Sequence, residues 1–138
     1  MLGQDMALTH RPAGYQCPFC RVVAGEDLPG DYTQRSDVVL RDAEVTAFIS
    51  SAWWPENAGH VLVVPNDHHE NVYDIPASAL AAVQVAGQRI AVALKAVYGC
   101  DGTSFRPHNE PAGNQEVWHY HLHVSPRYHS DELYVQTY

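Results

Sequence analysis

His119-Tyr120-His121-Leu122-His123-Val124-Ser125-Pro126-Arg127-Tyr128 is the segment on which the reading of this chain turns. Histidine stands at every second position from 119 to 123, three of the nine histidines among 138 residues. Their alternation with Tyr120, Leu122 and Val124 has the period of a β-strand, whose successive side chains point to opposite faces. The segment therefore predicts a strand with His119, His121 and His123 on one face and apolar residues on the other. Same-face neighbours on a strand lie ~6.6 Å apart, which puts the outer two histidines ~13 Å apart at the backbone. One ion with bonds near ~2 Å can take two neighbours but hardly all three. A row of imidazoles does suit phosphate chemistry. One ring attacks phosphorus while a neighbour donates to the non-bridging oxygens or supplies a proton.

Outward from this segment, the other elements follow from pattern. CPFCRVVAGE starts a short helix at residue 17. VVLRDAEVTAFI (38–49) predicts a hairpin turning at Arg41-Asp42. WWPENAG (53–59) is loop chemistry, and HVLVVP (60–65) is a buried strand. PASALAAVQVAGQRIAVALKAVYG (76–99) is the long helix. Leu80, Val83, Gly87, Ile90, Leu94 and Val97 form its packed stripe, Pro76 suits its first turn and Gly99 its stop. Gly87 on that stripe allows close approach of another backbone. TSFRPHNEPAGNQEVW (103–118) reads as a strand and then a loop. Strands, one long helix and further strands make an α+β domain. Residues 1–14 carry no pattern and read as a flexible N-terminal arm, leaving 15–138 as a single domain.

Charge narrows the function. The net charge is −8, from sixteen acids against eight lysines and arginines, with no basic run. Binding to a nucleic-acid polymer needs clustered cations and is not expected. No secretory segment and no apolar run of bilayer length is read, so the expected setting is cytoplasmic with no membrane partner. The three cysteines do not form a disulfide framework. Cys17 and Cys20 have the C-x-x-C spacing of metal ligands or redox thiols, with two reduced thiols as the alternative. NDHHENVY (66–73) offers His68 and His69 as further ligands. Cys100 reads as a plain core or surface thiol.

Taken together, these motifs resemble the histidine triad (HIT) superfamily, named for His-φ-His-φ-His-φ-φ with φ apolar. The upstream strand Gly59-His60-Val61-Leu62-Val63-Val64-Pro65, with Asn109 and Gln115, is similar to the family's other signatures. The resemblance runs from Cys17 to Arg127. It implies a mostly antiparallel sheet of about five strands with one long helix packed on it. It also implies hydrolysis or transfer at the α-phosphate of a nucleotide or nucleotide conjugate. In that reading His121 is the nucleophile, the His119 carbonyl fixes its tautomer, His123 and Gln115 contact phosphate oxygens, and His60 supports the cluster. Asn109 and Ser50 would line the nucleotide site.

By resemblance to bacterial members, Cys17, Cys20, His68 and His119 would hold a structural zinc; no organic cofactor is expected, and a homodimer is. Two departures stand out. Glu116 occupies a place where relatives have Ser or Thr, and Ser50 one where they often have Asp. These departures leave a second reading open, a zinc-stabilised nucleotide-binding or interaction module with little turnover. A catalytic zinc would need an open position that four protein ligands close. Trp53 and Trp54 read as packing residues rather than base-stacking ones, and His108 and His129 as solvated loop residues. Arg127 reads as a phosphate contact or a surface ion pair, and Asp74, Glu110 and Asp131 have no assigned partner.

Overall fold

A computed structural model describes residues 9–134. The expected arm spans 1–14, and residues 1–8 of it lie outside the described residues, as do 135–138. The described part begins bound rather than loose: Thr9 Oγ1 and the His10 amide both donate to the buried carboxylate of Glu70.

The elements run α1 (Pro18–Val23), β1 (Val38–Arg41), β2 (Val45–Ile49), β3 (Val61–Pro65), α2 (Ala77–Tyr98), β4 (Gly102–Pro107) and β5 (Leu122–Arg127), with two short 3-10 turns at Arg35–Asp37 and Pro111–Gly113. The strands form one sheet in the order β1-β2-β3-β5-β4, every pair antiparallel. This is the α+β architecture that the sequence predicts. The hairpin turn falls one residue later than expected, at Asp42–Glu44, because Asp42 Oδ1 accepts from the amides of Glu44 and Val45 at 2.8 and 2.9 Å. An Asp side chain that closes its own turn in this way fixes the reversal point.

Both faces of the sheet are covered. Val45, Ala47, Val61, Val63, Leu122 and Val124 meet Val83, Ala86, Ile90 and Leu94 of α2. On the opposite face Phe48, Leu62 and Val64 meet Phe19 and Val22 of α1. That is why β3 is apolar at every position rather than alternating. Arg41 of β1 holds α1 in place, its guanidinium donating to the carbonyls of Val23 and Val22 at 2.6 and 3.3 Å.

Helix α2 differs from expectation in three details. Pro76 is its N-cap rather than a first-turn residue, and Gly99 stops it at φ 63°. The buried stripe ends at Leu94; Val97 is 75% exposed. By length and composition the helix also passes as a membrane span, contrary to the sequence reading. Its inward stripe packs on the sheet, which makes it the core helix of this domain.

Gly87 does mark a close approach, though by side chains. A Cβ there would lie 2.8 Å from Leu122 Cδ2 and 3.2 Å from Phe105 Cε2. Helix and sheet meet at this point with no room for a branched side chain. Gly87→Val is expected to lower the free energy of unfolding by about 1–3 kcal/mol, since overpacking outweighs the better helix propensity. Urea denaturation with an unchanged m-value checks it.

Candidate active site and metal centre

Helix α1 sets up the first cluster. Cys17 is its N-cap, its Sγ accepting from the Cys20 amide at 3.3 Å, so both sulfurs sit at the same helix end. His119 Nδ1 lies 3.3 Å from Cys17 Sγ and 3.6 Å from Cys20 Sγ, and His68 Nδ1 lies 3.2 Å from Cys20 Sγ. All four atoms fall within 4.8 Å of one another. A tetrahedral zinc with bonds of ~2.0–2.3 Å has ligand-to-ligand edges of ~3.3–3.8 Å, and these contacts, at 3.2–3.6 Å, lie close to that range. The other nitrogen of His119, Nε2, donates to the Pro65 carbonyl at 2.8 Å. That bond leaves Nδ1 with its lone pair toward the sulfurs, the outer-sphere arrangement of a metal-bound imidazole. Without a cation the pocket is hostile to charge. Burial, with Cys17 beside it, pushes the Cys20 thiol up to about 12. Burial also drives His119 down to about 4 against the opposing bond to Pro65. His69, the other histidine of that segment, contributes its carbonyl instead, accepting from the Tyr120 amide at 2.6 Å.

That last bond changes the expected triad strand. Tyr120 is tied to the 66–75 loop rather than to a strand, so β5 begins at Leu122, and His119 and His121 precede it. Tyr120, Leu122 and Val124 still face α2, and the histidines the other side. The three imidazoles then divide: His119 joins the thiols, while His121 and His123 line a separate cleft of 670 Å³.

In the cleft, buried His121 donates from Nδ1 to the His119 carbonyl at 2.7 Å. A carbonyl can only accept, so this bond fixes the tautomer and leaves the lone pair on Nε2. Burial holds His121 down to about 4, despite the opposing pull of that carbonyl. Its ring lies edge-on to Phe19 at 5.0 Å on one side and 4.9 Å from His123 on the other. His123 in turn stacks on His60 at 5.6 Å and meets His108 at 4.9 Å. Desolvation first, and then the neighbouring imidazoles, depress His123 to about 2 and His60 to about 4. Both nitrogens of His123, Nδ1 of His60 and Nε2 of His108 are buried without a partner among the described residues. Each such orphan costs about 1–3 kcal/mol, so the nest is built to receive hydrogen bonds from something else.

Not every expected site residue reaches the cleft. Ser50 lines it, with its Oγ donating to the Ala52 carbonyl at 2.7 Å. Asn109 does not: its Oδ1 accepts from the Val72 amide at 2.8 Å and pins the loop after β4 to the segment before α2. Gln115 is buried and engaged with backbone. It accepts from the Glu110 amide at 2.9 Å and donates to the carbonyls of Glu70 and Val117 at 2.6 and 3.0 Å. His60 packs behind His123 rather than lining the cavity.

Other residues gain roles that their sequence context did not assign. His108 is a cleft residue, not a solvated one, while His129 is indeed exposed, at 90% of its side chain. Arg106, Asn114, Glu116, Trp54 and Tyr134 also line the cavity. Ser104, Arg106 and His108 share the parity of one sheet face, and that alternation was the available signal. Trp54 lies 6.2 Å from His60 and 5.7 Å from Tyr134. Arg127 is an ion-paired residue, 2.8 Å from Asp131, and does not line the cleft. Asp131 also accepts from Asn57 and from the Tyr128 amide, Glu110 pairs with His10 and Tyr73, and Asp74 caps the amides of Glu70 and Asn71.

The HIT domain profile matches residues 32–130. An uncharacterised HIT-like protein of Methanocaldococcus jannaschii is 35% identical over 115 residues, covering 83% of this chain and 81% of that one. The crystal structure of a zinc-bound histidine triad family protein from Mycobacterium smegmatis superposes with a TM-score of 0.73 at 31% identity, covering 89% of this chain and 83% of that one. An adenylylsulfatase of Arabidopsis thaliana, HINT3, is 27% identical over 119 residues, 86% of this chain and 56% of its own length. With its triad, its sheet order and these matches in agreement, the chain belongs to the histidine triad (HIT) family.

Proposed function

We propose that the protein is a nucleotidyl hydrolase or transferase that works through a covalent nucleotidyl-histidine at His121. One observation carries the reading: an uncharged imidazole lines a cleft with its Nδ1 proton engaged by the His119 carbonyl, so Nε2 is the available nucleophile. Nε2 attacks the α-phosphorus, the new N–P bond forming as the bond from phosphorus to the leaving group breaks. Water then attacks the same phosphorus, one of its protons passing to solvent and the other staying as P–OH, while the N–P bond breaks with its electron pair returning to Nε2 and nucleoside monophosphate leaves. His123 and His108 line the cleft beside His121 and would supply donors to the phosphate oxygens, with His60 packed behind His123. Charge stabilisation and alignment supply most of the rate in phosphoryl chemistry. The apolar wall of Phe19, Phe48 and Leu62 suits a base, and Ser50 a ribose hydroxyl.

The cluster of Cys17, Cys20, His68 and His119 fits a structural zinc in both donor set and spacing. Bound there, the ion supplies charge compensation for two thiolates and a cross-link from α1 to the segment that carries His121. A homodimer through α2 is part of the same reading. Val85 and Val92 are 57% and 66% exposed and border a second groove, with Gln88, Ala91 and Phe105. Nothing in this set of roles requires a secreted or membrane setting, and we assign the protein to the cytoplasm.

Three outcomes follow. His121→Ala is expected to lower release of nucleoside monophosphate by on the order of 1,000-fold or more with an unchanged circular dichroism spectrum; full activity in this variant would sink the covalent route. Metal analysis of the purified chain is expected to find zinc, and chelation or Cys20→Ser to lower Tm by about 4 °C or more. A metal-free protein whose Tm ignores chelator removes the zinc assignment. Val92→Glu is expected to convert a dimer to a monomer in sedimentation velocity, and a wild-type chain that sediments as a monomer contradicts the dimer.

A further inference from the structure

The pairing of β2, β3, β5 and β4 lays one row of side chains across the floor of the cleft. Phe48 pairs with Leu62, Leu62 with His123, and His123 with Arg106. Directly paired residues of antiparallel strands share a face, and each step is one strand spacing of ~4.8 Å. All four line the cavity. The row therefore grades from aromatic and aliphatic, through imidazole, to a permanent cation. His121 sits along the same gradient, with Phe19 on its apolar side and His123 on the other.

Arg106 is held ready at the far end. Its guanidinium lies 4.0 Å from the centroid of the Tyr134 ring, a cation–π geometry that orients the group. Among the described residues it has no carboxylate partner. Arg127, the neighbouring cation on β5, donates to Asp131 and to Ser104. His108 continues the Arg106 side of the cavity, with Nε2 buried and unpartnered. Glu116 also lines the cleft.

From this row we infer that Arg106, with His108, forms a second anion subsite beyond His123, and that the preferred substrates carry an anionic oxyacid leaving group on the α-phosphate. The inference rests on the proposed reading of His121. A base against Phe48 and Leu62 and an α-phosphate over His121 direct the leaving group toward Arg106. A phosphate or sulfate leaving group is a weak base: as the P–O bond breaks it keeps the electron pair, and it departs as an anion without needing a proton. It needs a cation with several donors, which a guanidinium provides in a fork that matches two oxygens. The replacement of a hydroxyl by Glu116 is consistent with this, since no proton donor is called for at that position.

The experiment compares three adenosine substrates: adenylyl sulfate, adenosine diphosphate and adenosine phosphoramidate, whose leaving group is uncharged ammonia. Wild type is expected to favour one or both anionic members over the phosphoramidate. Arg106→Ala is expected to lower kcat/KM for those by on the order of 10- to 100-fold, as for loss of a charged hydrogen bond, and to lower it by a clearly smaller factor for the phosphoramidate. Sulfate alone, phosphate alone, or both, identifies which oxyacid the subsite takes. Equal loss on all three substrates, or a wild-type preference for the phosphoramidate, overturns the inference. Binding supplies a readout without turnover. The non-hydrolysable α,β-methylene analogue of adenosine diphosphate is expected to bind wild type more tightly than adenosine monophosphate, and Arg106→Ala to erase the difference. An unchanged difference also overturns the subsite. Failure of the underlying reading looks different: His121→Ala would keep turning over substrate.

Discussion

Residue 119 binds two centres together through two different parts of itself. Its ring, steered by the Pro65 carbonyl, presents Nδ1 to Cys17 and Cys20; its main-chain carbonyl receives the Nδ1 proton of His121. Ring and carbonyl hang from the same Cα, so a backbone shift at 119 disturbs both bonds. The arrangement is held in turn by the Tyr120 amide, which reaches the His69 carbonyl and sets the chain before β5 beside the 66–75 loop. A misplacement of about 1 Å at a reacting group costs on the order of 100-fold in rate. A cluster anchored two residues from His121 is therefore a means of holding that ring in place.

Much of this was legible in the order of residues. The α2 stripe follows a helical period and is buried from Val83 to Leu94, and the alternation around 119–124 named both faces of the sheet correctly. The four members of the thiol–imidazole cluster come together from three separate segments, as the resemblance to bacterial family members implied. The limits were of two kinds. Where the backbone bonds outside the sheet, as at Tyr120, periodicity continues on paper after the strand has ended. Where a polar side chain satisfies buried backbone, its type does not say so. Asn109 and Gln115 look like ligand-binding amides in sequence, yet both bond to main chain that cannot find partners in a strand or helix. His108 and Arg106 went the other way. Their parity with Ser104 placed them on the triad's face, but only the β4–β5 register, set by tertiary pairing, shows which histidine they meet.

The cleft owes its shape to the sheet being covered on both faces by unequal elements. Helix α2 spans 22 residues and seals its side, while α1 spans six and covers only part of the other. Phe19 and Val22 close the sheet near β2 and β3, and the cover ends there. Beyond it, on β5 and β4, the face is left with histidines and an arginine instead of hydrocarbon. Polar residues on a sheet face that is neither solvated nor covered are expensive to desolvate. They accumulate here as unpartnered imidazole nitrogens, and the low proton affinity of His123 is the same cost seen from another side.

The departure at residue 116 becomes understandable from the loop that carries it. Gln115 points inward and ties three backbone groups together, so the conformation of 110–117 does not depend on its neighbours' side chains. Asn114, at φ 72°, and Glu116 flank it, both exposed and both at the cleft. A loop built this way separates architecture from chemistry at adjacent positions: 115 holds shape, while 114 and 116 can change the charge at the cavity mouth without refolding it. Arg106, His108 and Glu116 line the cleft, and the ring of His121 is held from behind it by the carbonyl of His119.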